Sequence, residues 1–126
     1  MTIQSEHQEQ TALFNILALY EDKYSELKWI FAIPNGGKRH ISVAKKMKAE
    51  GVKAGVWDIF VSSTTYTGFY GMFIEMKVKP NKLTENQKAF RDALKPFYRW
   101  EVCYSAIEAC HAIGDYLGIV ELQEVN

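Results

Sequence analysis

Glu75 and Lys77 flank Met76 at the end of an apolar run, Phe73-Ile74-Glu75-Met76-Lys77, and Asp58 opens the preceding apolar run after Gly55-Val56-Trp57. Side chains alternate across a strand, so Glu75 and Lys77 emerge on one face and Met76 on the other. Two carboxylates from adjoining strands can hold a divalent cation that polarises a phosphate and activates water. An ammonium beside them stabilises the charge that develops. The chemistry this layout suits is metal-assisted hydrolysis of a phosphodiester.

Each residue also has a structural account. Asp58 can be a strand-start carboxylate satisfied by backbone amides, and Glu75 with Lys77 can be a buried ion pair. An unpaired charge in a central, covered strand would be costly, and the three groups together on a hairpin favour a site. Glu6 lies in the first turn of a helix, where any acid gains from the helix dipole. It shares a face with Gln10, Leu13 and Leu17, and Glu9 is close to that face, so periodicity does not choose between the two acids. Gln87 follows Thr84 by three residues, the spacing of a capping box. It also aligns with Phe90, Arg91 and Leu94, a face that would turn its amide toward the sheet.

Six basic residues (Lys38, Arg39, Lys45, Lys46, Lys48 and Lys53) stand against the single acid Glu50 in one stretch. They form either a solvated helix face or a surface that tracks phosphates. Asn35-Gly36-Gly37-Lys38 lacks the Gly-Lys-Ser/Thr ending of a phosphate-binding loop, although a glycine turn entering a lysine-bearing helix can still meet a phosphate. His7, His40 and His111 show no ligand spacing and read as surface or packing residues. Trp29, Trp57 and Trp100 read as core. No Gly-x-Ser-x-Gly motif points to a covalent nucleophile.

The elements that must position these groups follow from periodicity and caps. Ser5 and Gln8 form a capping box on a helix running to about Asp22. Trp29 to Ile33 is a short strand. A second helix spans Arg39 to about Glu50, with Val43, Ala44 and Met47 inward and its lysines outward. Strands follow at Trp57–Ser62 and Tyr70–Val78, then a helix capped by Thr84 that extends to about Lys95. Tyr98–Tyr104 alternates as a strand. Ser105 and Glu108 open a last helix that ends near Leu117, closed by Gly118. The order αβαββαβα predicts an α/β fold, a mixed sheet flanked by helices.

The 126 residues are 48% apolar and 24% charged with zero net charge, which suits one soluble domain over 1–126. Two cysteines, Cys103 and Cys110, make no disulfide framework and no metal-ligand spacing, so buried free thiols in a reducing cytoplasm are expected. The polar first residues lead into an amphipathic helix, so no signal peptide is expected. No apolar run reaches transmembrane length, which excludes a spanning helix.

Five blocks, in order, carry a resemblance that covers Glu6 through Leu117: Ser5-Glu6-His7-Gln8-Glu9-Gln10, Phe31 to Lys38, Lys48 to Asp58, Phe73 to Lys77, and Leu83 to Gln87. They resemble the virus-type replication–repair nuclease (VRR-Nuc) domain, a branch of the PD-(D/E)xK restriction-endonuclease-like superfamily, in its stand-alone phage and bacterial form. The resemblance implies a restriction-endonuclease-like core and a catalytic set of Asp58, Glu75, Lys77, Gln87 and Glu6. Asp58, Glu75 and the Met76 carbonyl would bind Mg²⁺ or Mn²⁺, and Lys77 would position or activate water. The family usually has proline where this chain has Trp57, so altered local packing around a retained metal site is expected.

The implied activity is structure-selective cleavage of branched DNA, with Holliday-junction resolution by a homodimer, in the cytoplasm of a bacterial or phage-infected cell. Lys38, Arg39, Lys45, Lys46 and Lys48 would hold flanking phosphates. No organic cofactor and no membrane partner are expected. A monomeric flap or nicking nuclease and a non-catalytic DNA-binding module are the alternatives.

Overall fold

In the computed structural model the described residues are 5–34, 40–65 and 68–126. Helix α1 (Glu6–Ala18) starts at the Ser5–Gln8 capping box, in which both reciprocal hydrogen bonds form. It ends earlier than expected, because the Leu19 and Tyr20 N–H groups tighten onto the Ile16 and Leu17 carbonyls. Strand β1 (Ile30–Ala32) precedes α2 (Ile41–Ala49), β2 (Ile59–Val61) and β3 (Met72–Met76). Then come α3 (Glu85–Leu94), β4 (Arg99–Cys103), α4 (Ala106–Leu117) and a short α5 (Val120–Gln123). The expected order is therefore present, with α5 added.

The sheet order is β1-β2-β3-β4, antiparallel across the first two junctions and parallel between β3 and β4. Helix α3 makes the crossover that a parallel pair requires. The mixed sheet flanked by helices is the fold class that the element order implies.

Alternation divides each central strand between two layers. Ile59, Val61, Met72, Ile74 and Met76 point into a core closed by Leu13 and Leu17 of α1 and by Ala109, Cys110 and Ile113 of α4. Burial pushes the Cys103 thiol up to about 12 and the Cys110 thiol up to about 11, and both cysteines are free. The opposite face carries an aromatic row in register, Phe31, Phe60, Phe73 and Trp100. Its neighbouring rings are 5.8, 4.7 and 4.9 Å apart. Phe90 of α3 meets Phe73 and Trp100 edge to face, which seats α3 on this second layer.

Three expectations need correction. Trp29 is 67% exposed, because it ends a 3₁₀ turn at the outer edge of the sheet, where no layer covers it. Val43 is exposed rather than inward; Ala44 and Met47 are half-buried and the lysines exposed, as expected, but no residue of α2 is fully buried. The helix that ends at Leu117 is not the last, since α5 follows it. Gly114 admits α5 there, since a Cβ would come within 2.8 Å of the Gln123 nitrogen and the Ile119 carbonyl oxygen.

Candidate functional site

Asp58 and Glu75 lie opposite each other because the antiparallel register of β2 and β3 pairs Ile59 with Ile74, one step further into the sheet. The Asp58 N–H donates to Glu75 Oε1 at 3.1 Å, and the Met76 N–H donates to Asp58 Oδ2 at 2.9 Å. The Ile33 N–H holds the Asp58 carbonyl at 2.7 Å, tying the end of β1 to the site. The Lys77 N–H reaches the Cys103 carbonyl at 2.9 Å, which extends the β3–β4 ladder and fixes where the Lys77 side chain leaves the strand.

Asp58, Glu75 and Lys77 are the only buried polar or charged residues among the described ones, at 9, 3 and 8% exposure. Three ionisable groups concentrated at one point of an otherwise apolar interior are not what stability alone favours. Lys77 Nζ lies 3.6 Å from Glu75 Oε2, so the ion pair of the structural account exists, but it opens onto a groove instead of being sealed. Burial first, and the Asp58 charge second, push the Glu75 carboxyl up to about 8; Lys77 pulls the other way without cancelling them.

Gln87 both completes the capping box and turns its amide toward the sheet. Its Oε1 accepts from the Thr84 N–H at 2.9 Å and its backbone N–H donates to Thr84 Oγ1, completing the capping box. Its Nε2 donates to Glu75 Oε2 at 2.8 Å. The amide's two ends thus connect the α3 N-terminus to the buried carboxylate.

The groove has a volume of about 1120 Å³ and is lined by Glu6, Asp58, Glu75, Lys77 and Gln87. These come from α1, the approach to β2, β3 and its continuation, and α3. Glu6 faces the groove. Glu9 instead accepts the Ala106 N–H at 2.8 Å, one of the unsatisfied amides at the start of α4. Met76 contributes main chain to the site while its side chain is buried in the core. Lys45, Lys46 and Lys48 are exposed on α2 and do not line the groove; Lys38 and Arg39 lie outside the described residues.

The groove is also lined by His7, read from the sequence as a surface or packing residue, and by Gly55 and Asn86, which had no expected site role. His7 had a signal, its place next to Glu6 in the first turn of α1. Nothing local marks the other two, since their meeting is tertiary. His40 caps α2 through Ser42, and His111 contacts the Val125 carbonyl, both structural uses.

The donor set fits a hard divalent cation. Two neighbouring carboxylates whose repulsion and burial Lys77 offsets only in part, pushing the Glu75 carboxyl up to about 8, gain from a further positive charge between them. Among the described residues no group of three His, Cys, Asp or Glu side chains could hold a metal. Asp58 and Glu75 would therefore be completed by main-chain and water oxygens, as Mg²⁺ commonly is.

The VRR-NUC domain family matches residues 2–107. No curated protein matches the chain. A solved structure described as a VRR_NUC domain protein shares 23% sequence identity, with a TM-score of 0.75 over 94% of this chain and 93% of that chain. That likeness concerns the fold.

Proposed function

This chain belongs to the VRR-NUC domain family, which carries a nuclease-type function on DNA, and we propose that it is a Mg²⁺- or Mn²⁺-dependent endonuclease that hydrolyses phosphodiester bonds in branched DNA, resolving four-way junctions as a homodimer. The observation that carries this reading is the convergence of Glu6, Asp58, Glu75, Lys77 and Gln87 from four parts of the chain on one groove.

Asp58, Glu75 and the Met76 carbonyl would hold the cation, which supplies Lewis-acid polarisation of the phosphate and a more acidic water. Lys77, 3.6 Å from Glu75, presents an ammonium to the charge developing on the phosphate and orients the attacking water. Gln87 fixes the Glu75 carboxylate in one rotamer through its amide N–H. Glu6 acts indirectly, from the groove wall. The α2 lysines Lys45, Lys46 and Lys48, with Lys38 and Arg39, would hold flanking phosphates and make binding strongly salt-dependent. A resolvase cuts two strands symmetrically and each chain contributes one Asp58, Glu75 and Lys77 set, so a two-fold dimer meets the geometry.

The test is cleavage of a labelled four-way junction with Mg²⁺, compared with flap and linear duplex, beside sedimentation of the free protein. Junction cutting that Asp58→Ala and Lys77→Ala abolish, by a sedimenting dimer, is expected. Equal cutting by either variant overturns the catalytic assignment; cutting of flaps by a monomer replaces the resolvase with a flap nuclease.

A further inference from the structure

The segment that delivers Asp58 does not reach the groove by strand pairing alone. Trp57 is 1% exposed, yet it stands apart from the main core cluster. Its ring packs edge to face on Trp100, with centroids 4.9 Å apart and planes at 74°. Its indole Nε1–H donates to the Gln87 carbonyl at 3.0 Å. Two residues earlier, Gly55 presses on the same turn of α3. A Cβ at Gly55 would sit 2.5 Å from the Asn86 carbonyl oxygen, and its φ of +92° is one that side chains rarely adopt.

These contacts close a ring. Trp57 is bonded to the next residue, Asp58, whose N–H binds Glu75; Glu75 accepts from the Gln87 side chain; and the Gln87 backbone carbonyl receives the Trp57 indole. Both carboxylates are therefore referenced to one point, the first turn of α3. We propose that Trp57 is a positioning residue for the metal-binding pair, its indole N–H locking Asp58 and Glu75 into one geometry through Gln87; this rests on the nuclease reading above.

An outer partner that orients ligands typically changes metal affinity or activity by about 10–100-fold when removed. The same indole also packs, so the test must separate the bond from the bulk. Trp57→Phe removes the N–H and keeps an aromatic ring. Trp100→Phe disturbs the same aromatic layer but leaves the Trp57–Gln87 bond, because the Trp100 indole donates to the Lys95 carbonyl instead.

Mn²⁺ affinity by calorimetry, and kcat and KM on a four-way junction, are measured for the parent and both variants. Trp57→Phe is expected to weaken Mn²⁺ binding roughly tenfold and to lower kcat with KM for DNA unchanged. Trp100→Phe is expected to lower Tm while binding Mn²⁺ as the parent does. Should Trp57→Phe not fold, site-specific replacement of Trp57 by benzothienylalanine, which has sulfur in place of the N–H, gives the same comparison. Parent-like Mn²⁺ affinity and kcat in the Trp57 variant, or an equal loss in Trp100→Phe, overturns the positioning role and leaves the nuclease reading standing. A parent that neither binds Mn²⁺ nor cuts DNA removes the nuclease reading and this inference with it.

Discussion

Glu75 offers the sharpest quantitative test, because its environment ties stability, pH and metal together. Its carboxyl is pushed from an ordinary 4.5 up to about 8, chiefly by burial and then by the Asp58 charge. A folded-state pKa above the unfolded one means that the folded protein binds the extra proton. The stability that goes with it is complete below about pH 4.5 and is lost as pH rises through 8. The slope is about 1.4 kcal/mol per pH unit, and the cumulative loss by pH 8 is on the order of 4 kcal/mol for metal-free protein. In a domain of this size that corresponds to roughly 15 °C in Tm.

Glu75→Gln isolates this contribution. The new amide must set its NH₂ against either the Asp58 N–H or Gln87 Nε2, an offset of about 1–3 kcal/mol that does not vary with pH. The diagnostic is therefore the slope of parent minus variant, read from urea melts in chelator between pH 5 and 9. Calorimetry supplies the second arm. A ligating carboxylate must lose its proton, so parent Mn²⁺ affinity should tighten about tenfold per pH unit toward pH 8 and then level off. A pH-independent difference between parent and Glu75→Gln, or flat Mn²⁺ affinity from pH 6 to 8, would refute the claim that these carboxylates form an electrostatically loaded cation site.

Gly55→Ala combines a strained positive φ with a 2.5 Å approach to the Asn86 carbonyl oxygen, and should cost roughly 2–4 kcal/mol in chemical denaturation while loosening Mn²⁺ binding. Glu9→Ala strips the Ala106 N–H of its acceptor and should lose about 1–3 kcal/mol with kcat retained, whereas Glu6→Ala should keep the parent Tm and lose roughly tenfold or more in cleavage rate. Replacing Lys45, Lys46 and Lys48 by Ala should weaken DNA binding across sequences and reduce the slope of log K against log salt by about 3 in fluorescence-anisotropy titrations, with Mn²⁺ affinity unaltered.

The part of this site that a sequence can disclose is the part governed by a fixed period. Glu75 and Lys77 share a face because strand side chains repeat every two residues, and hairpin pairing brings Asp58 to Glu75 once both strands are recognised. Gln87 was legible twice over. The capping-box spacing and the inward helical face looked like rival accounts, and they coexist because an amide has an acceptor at one end and donors at the other. The choice between Glu6 and Glu9 had no such rule. Both fall near one face of α1, and what separates them is the Ala106 N–H, contributed from 97 residues away.

Apolar periodicity failed where it assumed a covering layer. Val43 and Trp29 have the residue type for a core, but among the described residues α2 buries no residue fully and β1 lies at the sheet edge, so residue type alone did not decide their environment. Trp57 is the reverse case. From sequence, a tryptophan where the resembling family has proline looked like a local packing change beside an unaffected site. In three dimensions its indole N–H supplies a tertiary constraint, anchoring the Asp58 approach to α3 at the residue whose amide holds Glu75. Proline fixes φ at its own position only; an indole hydrogen bond fixes the distance between two chain segments. The Trp57 contact refers the orientation of Asp58 to α3, which is why Gly55, Trp57 and Gln87 should respond to mutation as one unit rather than as three independent sites.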